Sequence, residues 1–116
     1  MDIRYLAVDL RFVCEDPAED TDENFDAFTD AVMDALTELE DVDSGIVDPD
    51  ITARITERTL SVLMGIDADT ERDAVRLFSA NVRTALHAAE CTTADWPVFK
   101  QANTAPKVAP VDFSRA

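Results

Sequence analysis

The sequence predicts an α+β fold in which an antiparallel sheet carries two helices on one of its faces. Three observations lead there. Apolar residues alternate along 4–14 and again along 51–66. The apolar period lengthens to 3.6 residues over 23–41 and over 71–90. With a short last strand, the segments then run strand, helix, strand, strand, helix, strand.

Residues 4–14 place Leu6, Val8, Leu10, Phe12 and Cys14 on one side and Ala7, Asp9, Arg11 and Val13 on the other, as a strand with one buried face does. The acidic stretch EDPAEDTDEN follows, with Thr21 and Asp22 among its candidate helix caps. In the first helix Phe25, Phe28, Val32, Leu36 and Leu39 form one stripe, while Glu23, Asp26, Asp30, Asp34, Glu38 and Asp41 project opposite. Carboxylates four apart repel by about 0.2–0.5 kcal/mol per pair. Burial of each large apolar side chain gives about 1.5–3 kcal/mol before entropy is subtracted, so packing outweighs the repulsion.

DVDSGIVDPD, residues 41–50, reads as a turn-rich connection. Ile51, Ala53 and Ile55 alternate with Thr52, Arg54 and Thr56; Leu60, Val62, Met64 and Ile66 alternate with Thr59, Ser61, Leu63 and Gly65. These predict a hairpin turning near Thr56 to Thr59, although TERT lacks the Gly, Asn or Asp that such turns favour; one long bent strand is the competing reading. Thr70 and Asp73 resemble a capping box for the second helix, whose inner stripe is Ala74, Val75, Phe78, Val82, Ala85, Leu86 and Ala89. Its outer face carries Arg72, Arg76, Arg83 and His87. TTADWPVFK, residues 92–100, is a short strand that Pro97 confines to a sheet edge. Residues 1–100 are therefore expected to form a single domain, with 101–116 as an extended C-terminal arm. The element order resembles the ferredoxin-like split βαβ (βαββαβ) topology, which places both helices on one sheet face and carries over no functional residue.

Charge and motifs narrow the function. The net charge is −15, and fifteen acids with no base lie between Glu15 and Asp50, so the rest of the chain is balanced. Nucleic acid is not an expected partner, because phosphate contacts need clustered Lys and Arg. The two glycines, Gly45 and Gly65, cannot make a phosphate-cradling loop. No apolar run reaches membrane-spanning length, and the N-terminus has Asp9 and Arg11 inside its apolar stretch, so neither a membrane span nor a secretory signal is expected. Cys14 and Cys91, widely separated, suit reduced thiols in a cytoplasmic protein.

Catalytic and metal readings find little. His87 belongs to an outer helix face and Cys14 to a buried stripe; Cys91 could approach His87, but nothing suggests a third, orienting group. DVDSGIVDPDIT begins like a calcium loop, yet Gly45 stands at the fifth position and Thr52 replaces the bidentate Glu at the twelfth. No catalytic residue, metal or cofactor is expected.

The acidic flank is then the leading candidate. A solvated surface alone, or that of a high-salt proteome, would also be acid-rich, but confinement to one segment favours a contact surface. The expectation is a non-enzymatic adaptor, inhibitor or regulator that presents Glu23, Asp26, Asp30, Asp34, Glu38 and Asp41 to a basic protein. The module would form a homo-oligomer, a dimer, through its open sheet face. The alternative is a small-molecule-binding protein or small enzyme using that open face, with Asp9, Arg11 and Arg54 as ligand or dimer contacts.

Overall fold

The computed structural model describes residues 3–14, 17, 18, 20–42, 45–92, 99–101 and 107–111. The alternation in the first segment becomes β1 (Ile3–Cys14), in which Leu6, Val8, Leu10 and Phe12 are buried. α1 (Asp22–Val42) follows, capped by Thr21: its hydroxyl accepts the Asn24 N–H at 3.2 Å and its carbonyl accepts the Phe25 N–H at 3.1 Å. α1 buries Phe25, Phe28, Val32 and Leu36 as its stripe requires. It also buries Thr29, whose hydroxyl donates to the Asp26 carbonyl at 2.8 Å and so carries no unsatisfied group inward. β2 (Ile46–Arg54), a 3₁₀ turn (Ile55–Glu57) and β3 (Thr59–Asp67) form the hairpin. α2 (Glu71–Thr92) is capped by Thr70, which accepts the Asp73 N–H at 3.1 Å. β4 (Phe99–Gln101) and the two-residue β5 (Ala109–Pro110) complete the chain.

The sheet is antiparallel with order β2-β3-β1-β4, and β5 also pairs with β1. It has the strand order of the ferredoxin-like topology. β1 and β3 pair without a register break from Ile3↔Asp67 to Arg11↔Thr59, so the buried side chains of both strands fall on the same face. There they meet Phe25, Phe28, Val32 and Leu36 of α1 and Ala74, Phe78, Val82 and Ala85 of α2 in one core. Phe12 packs edge-on against Phe28, with ring centroids 5.2 Å apart, and lies 5.9 Å from Phe25.

The region expected to be a connection differs. Ile46–Asp50 forms the first part of β2, with a bulge where the register jumps from Val47↔Gly65 to Asp50↔Leu63. Asp48 takes a left-handed φ of 50°. Pro49 is tolerated because it falls within this irregular stretch of an edge strand. The acids and the proline hid a strand that pairing with β3 enforces. Residues 109–111, expected as part of the arm, return to β1: Val111 donates its N–H to the Tyr5 carbonyl at 2.8 Å. Pro97 and the side chains of Ala89 and Cys91 lie outside the described residues.

The hairpin turns without Gly because Arg58 itself adopts the left-handed conformation, at φ 53°. That conformation costs an L-residue roughly 1–2 kcal/mol. Contacts of the Arg58 side chain offset it. Nε donates to Asp20 at 2.7 Å, Nη1 donates to Asp22 at 2.8 Å and to the Ile55 carbonyl, and the guanidinium lies 5.6 Å from the Phe25 ring centroid. These bonds, to Asp20 first and Asp22 second, raise the guanidinium pKa above its ordinary value. The Arg58 carbonyl accepts the Phe12 N–H at 2.9 Å, so a single residue ties the hairpin to β1 and to the start of α1.

Arg58→Ala is expected to lower the unfolding free energy by about 1–3 kcal/mol in urea denaturation followed by circular dichroism. The half-exposed Asp22 keeps its own share of that loss small. Arg58→Lys should recover only part of it, because an ammonium cannot span both carboxylates as a planar fork does. A loss below about 0.5 kcal/mol, ordinary for a surface change, would show that the hairpin needs no such tie.

Candidate functional site

With both helices on one face, the other face of the sheet is a surface built from alternate residues of β1, β3 and β2. The register arranges them in rows. Arg11, Thr59 and Arg54 lie in one row; Asp9, Ser61 and Thr52 in the next; then Ala7, Leu63 and Asp50; then Tyr5, Gly65 and Val47. Asp9, Arg11 and Arg54 thus occupy one end of this face and are exposed. The Ser61 hydroxyl donates to the Asp9 carboxylate. Arg54 pairs with Glu57, Nη1 to Oε2 at 3.9 Å, and not with Asp9 across the sheet. Both partners in that pair are well exposed, so it holds Arg54 weakly.

The other end is concave, and its main residues escape sequence reasoning. Gly65 is buried, and a Cβ there would lie 3.0 Å from Tyr5 Cε1 and 3.0 Å from Ile3 Cγ2. Its missing side chain lets the Tyr5 ring lie across β3 towards β2. The Tyr5 hydroxyl donates to Asp48 Oδ2 at 3.2 Å, and the Asp48 N–H donates to Glu40 Oε2 at 2.9 Å. Through the bulge, the last turns of α1 therefore hold a tyrosine of the opposite sheet face. Desolvation first, then the hydrogen bond to Asp48 and its negative charge, raise the phenol pKa above its ordinary value. Tyr5, Leu63, Pro49 and the carboxylates of Glu40, Asp48 and Asp50 line a shallow depression of about 580 Å³. The available signals were a lone tyrosine in register with a strand glycine; assigning 46–50 to a connection removed Asp48 from the sheet.

The six carboxylates expected to contact a partner, Glu23, Asp26, Asp30, Asp34, Glu38 and Asp41, are all exposed on α1, away from its packed stripe. Asp20 and Asp22, just ahead of them, are instead engaged by Arg58. Cys14 is half-buried at the end of β1 and His87 is exposed on α2. Among the described residues no group of three or more His, Cys, Asp and Glu side chains could hold a metal ion. Among the same residues no helix is long and apolar enough to cross a membrane.

No protein-family model matches the chain, and no curated protein matches it in sequence. The fold is similar to that of a Caulobacter crescentus CB15 protein described as a "putative antibiotic biosynthesis monooxygenase". That likeness has a TM-score of 0.53 at 15% identity and covers 95% of this chain and 88% of the other. It establishes the shared α+β, ferredoxin-like architecture. It also overturns the expectation of a non-enzymatic acidic interaction module, because a solved protein of this fold is described as a monooxygenase of antibiotic biosynthesis and not as an adaptor or inhibitor. The carboxylates of α1 lie on the outer side of a helix packed on its other side.

Tyr5 is the single tyrosine, so its ionisation can be followed alone by ultraviolet difference titration. The phenol should ionise above pH 10, and Asp48→Asn should lower that midpoint, whereas Asp34→Asn on α1 should leave it in place. The sign for stability follows from linkage. The folded state holds this proton more tightly than the unfolded state, so the contribution is complete below about pH 10 and is lost as pH rises through the folded value.

Proposed function

We propose that the protein binds a small organic molecule on the open face of its sheet, and that a second copy stacked on the same face about a twofold axis closes the site. The observation that carries this reading is the face itself. Three strands present small and apolar residues, Ala7, Val47, Leu63 and Gly65, beside a polar end, and among the described residues no helix covers them. Ile3 and Val13, on the same side of β1, are 41% and 50% exposed, as suits residues with a surface still to meet.

Asp9, Arg11 and Arg54 serve as the polar contacts of this face. Carboxylate and guanidinium on one patch make it self-complementary under a twofold axis, since each sign can meet the other on the second copy. Closure by a second sheet roofs the hollow and supplies the exclusion of water that a ligand site needs. Likeness of fold to a protein named for antibiotic biosynthesis supports a small-molecule ligand over a macromolecular one. The cytoplasmic location and the division into a domain of residues 1–100 with an arm of 101–116 belong to this proposal as well. It rests for these on the widely spaced cysteines and the change of pattern after 100.

2-Naphthol, a neutral flat ring, is a suitable probe. Sedimentation velocity should show a dimer, and calorimetric titration should show saturable probe binding. Leu63→Glu, in the middle of the face, should separate the dimer and weaken the probe by about tenfold or more. Asp30→Asn should change neither measurement. A monomer that binds no probe, or probe binding indifferent to Leu63→Glu, defeats the reading.

A further inference from the structure

We infer that the ligand end of the open face is the depression over Tyr5, and that it takes a flat organic cation, an aromatic ring bearing a quaternary or protonated nitrogen. This rests on the reading of the open face as a small-molecule site and adds where on the face the ligand sits and what charge it carries.

Concavity comes first. About 580 Å³ lies within the range of about 300–1,000 Å³ usual for small-molecule sites. Its walls include the Tyr5 ring, Leu63 and Pro49, which offer a flat and largely apolar seat. Tyr5 is half-buried with one side against Gly65, and the hydroxyl bond to Asp48 fixes it, so little side-chain freedom is lost when a ring stacks on it.

Charge decides the class of ligand. Every ionisable side chain in the lining other than the phenol is a carboxylate, and Glu40, Asp48 and Asp50 form no ion pair among the described residues. Arg11 and Arg54, on the same face, lie two rows of the sheet from Leu63 and Asp50 and three from Tyr5, about 13–20 Å, beyond the screening length of about 8–10 Å at physiological salt. An anion in the depression would face uncompensated carboxylates, whereas a cation would gain both their field and the negative face of the phenol ring.

Carboxylates alone do not define such a site, and the six exposed along α1 surround no aromatic ring among the described residues. Those over the sheet differ because they surround an aromatic ring in a hollow. Asp48 and Glu40 are also held in place, through the Tyr5 hydroxyl and the Asp48 N–H.

The test titrates three rings of similar size and different charge into the full chain by calorimetry at about 0.15 M salt: N-methylquinolinium, 2-naphthol and 2-naphthoate. N-methylquinolinium should bind at least about tenfold more tightly than 2-naphthoate, a difference of 1.4 kcal/mol. Asp48→Asn and Tyr5→Phe should each weaken the cation by about threefold or more, and Tyr5→Phe keeps the ring and hence the strand packing. Asp30→Asn removes the same unit of charge from α1 and should leave the affinity within about twofold, a shift expected of a charge screened at that distance. Equal losses in Asp48→Asn and Asp30→Asn would reveal attraction to the general acidic field and overturn the inference. Preference for 2-naphthoate, or for 2-naphthol without regard to charge, would overturn it while leaving the open-face site standing. Failure of all three probes would remove both.

Discussion

The structure depends on one constraint, the unbroken antiparallel register of β1 against β3. Nine consecutive pairs, from Ile3↔Asp67 to Arg11↔Thr59, put Leu6, Val8, Leu10 and Phe12 beside Leu60, Val62, Met64 and Ile66 on one face. Side chains alternate along a strand, so a slip of one residue would turn that apolar set to water and bring Asp9, Arg11 and Ser61 into the core. Both helices dock on the face so defined. What remains, by exclusion, is the open side that carries Tyr5, Leu63, Asp9, Arg11 and Arg54. The division between core and site is thus a single choice of register seen from its two sides.

A second device controls how an acid-rich segment joins this core. Fifteen carboxylates without a base between Glu15 and Asp50 would repel one another in any compact state. α1 spreads many of them over a hydrated face, and Arg58 neutralises Asp20 and Asp22 where the chain enters the helix. Arg58 also closes the hairpin from a left-handed conformation and accepts the Phe12 N–H, so charge, turn and strand pairing meet in one residue. Loss of the guanidinium would leave a strained turn and two crowded carboxylates together. This coupling is why the hairpin can form from TERT without a glycine.

The link from α1 to the opposite sheet face is narrow but physical. Glu40 reaches the bulge of β2, the bulge orients Asp48, and Asp48 takes the Tyr5 hydroxyl above Gly65. β-Bulges re-aim side chains beside functional sites in many sheets. Here the bulge carries an acidic residue around the edge of the sheet and gives one end of an otherwise flat surface a hollow of distinct charge. Among the described residues, Arg11 and Arg54 stand at the other end of this face, so it is polarised along the β1 direction. The acidic hollow and the guanidinium groups thus mark opposite ends of one face.

Sequence by itself determined the two helices, the buried face of β1 and β3, the order of the elements and the exposure of Asp9, Arg11 and Arg54. All of these follow from periodicity, which depends only on local backbone geometry. It could also show that carboxylates crowd one segment, but not what that segment does, since a hydrated helix face and a binding face have the same composition. Tertiary structure alone decided that Ile46–Asp50 is a strand, because its pairing partner lies in β3 and its own residues, Asp48 and Pro49, argue against one. The left-handed Arg58 was likewise hidden, since its stabilisation comes from Asp20 and Asp22, far away in the chain. So was the hollow over Tyr5, which needs a glycine on one strand, a bulge on another and a glutamate on a helix to coincide in space.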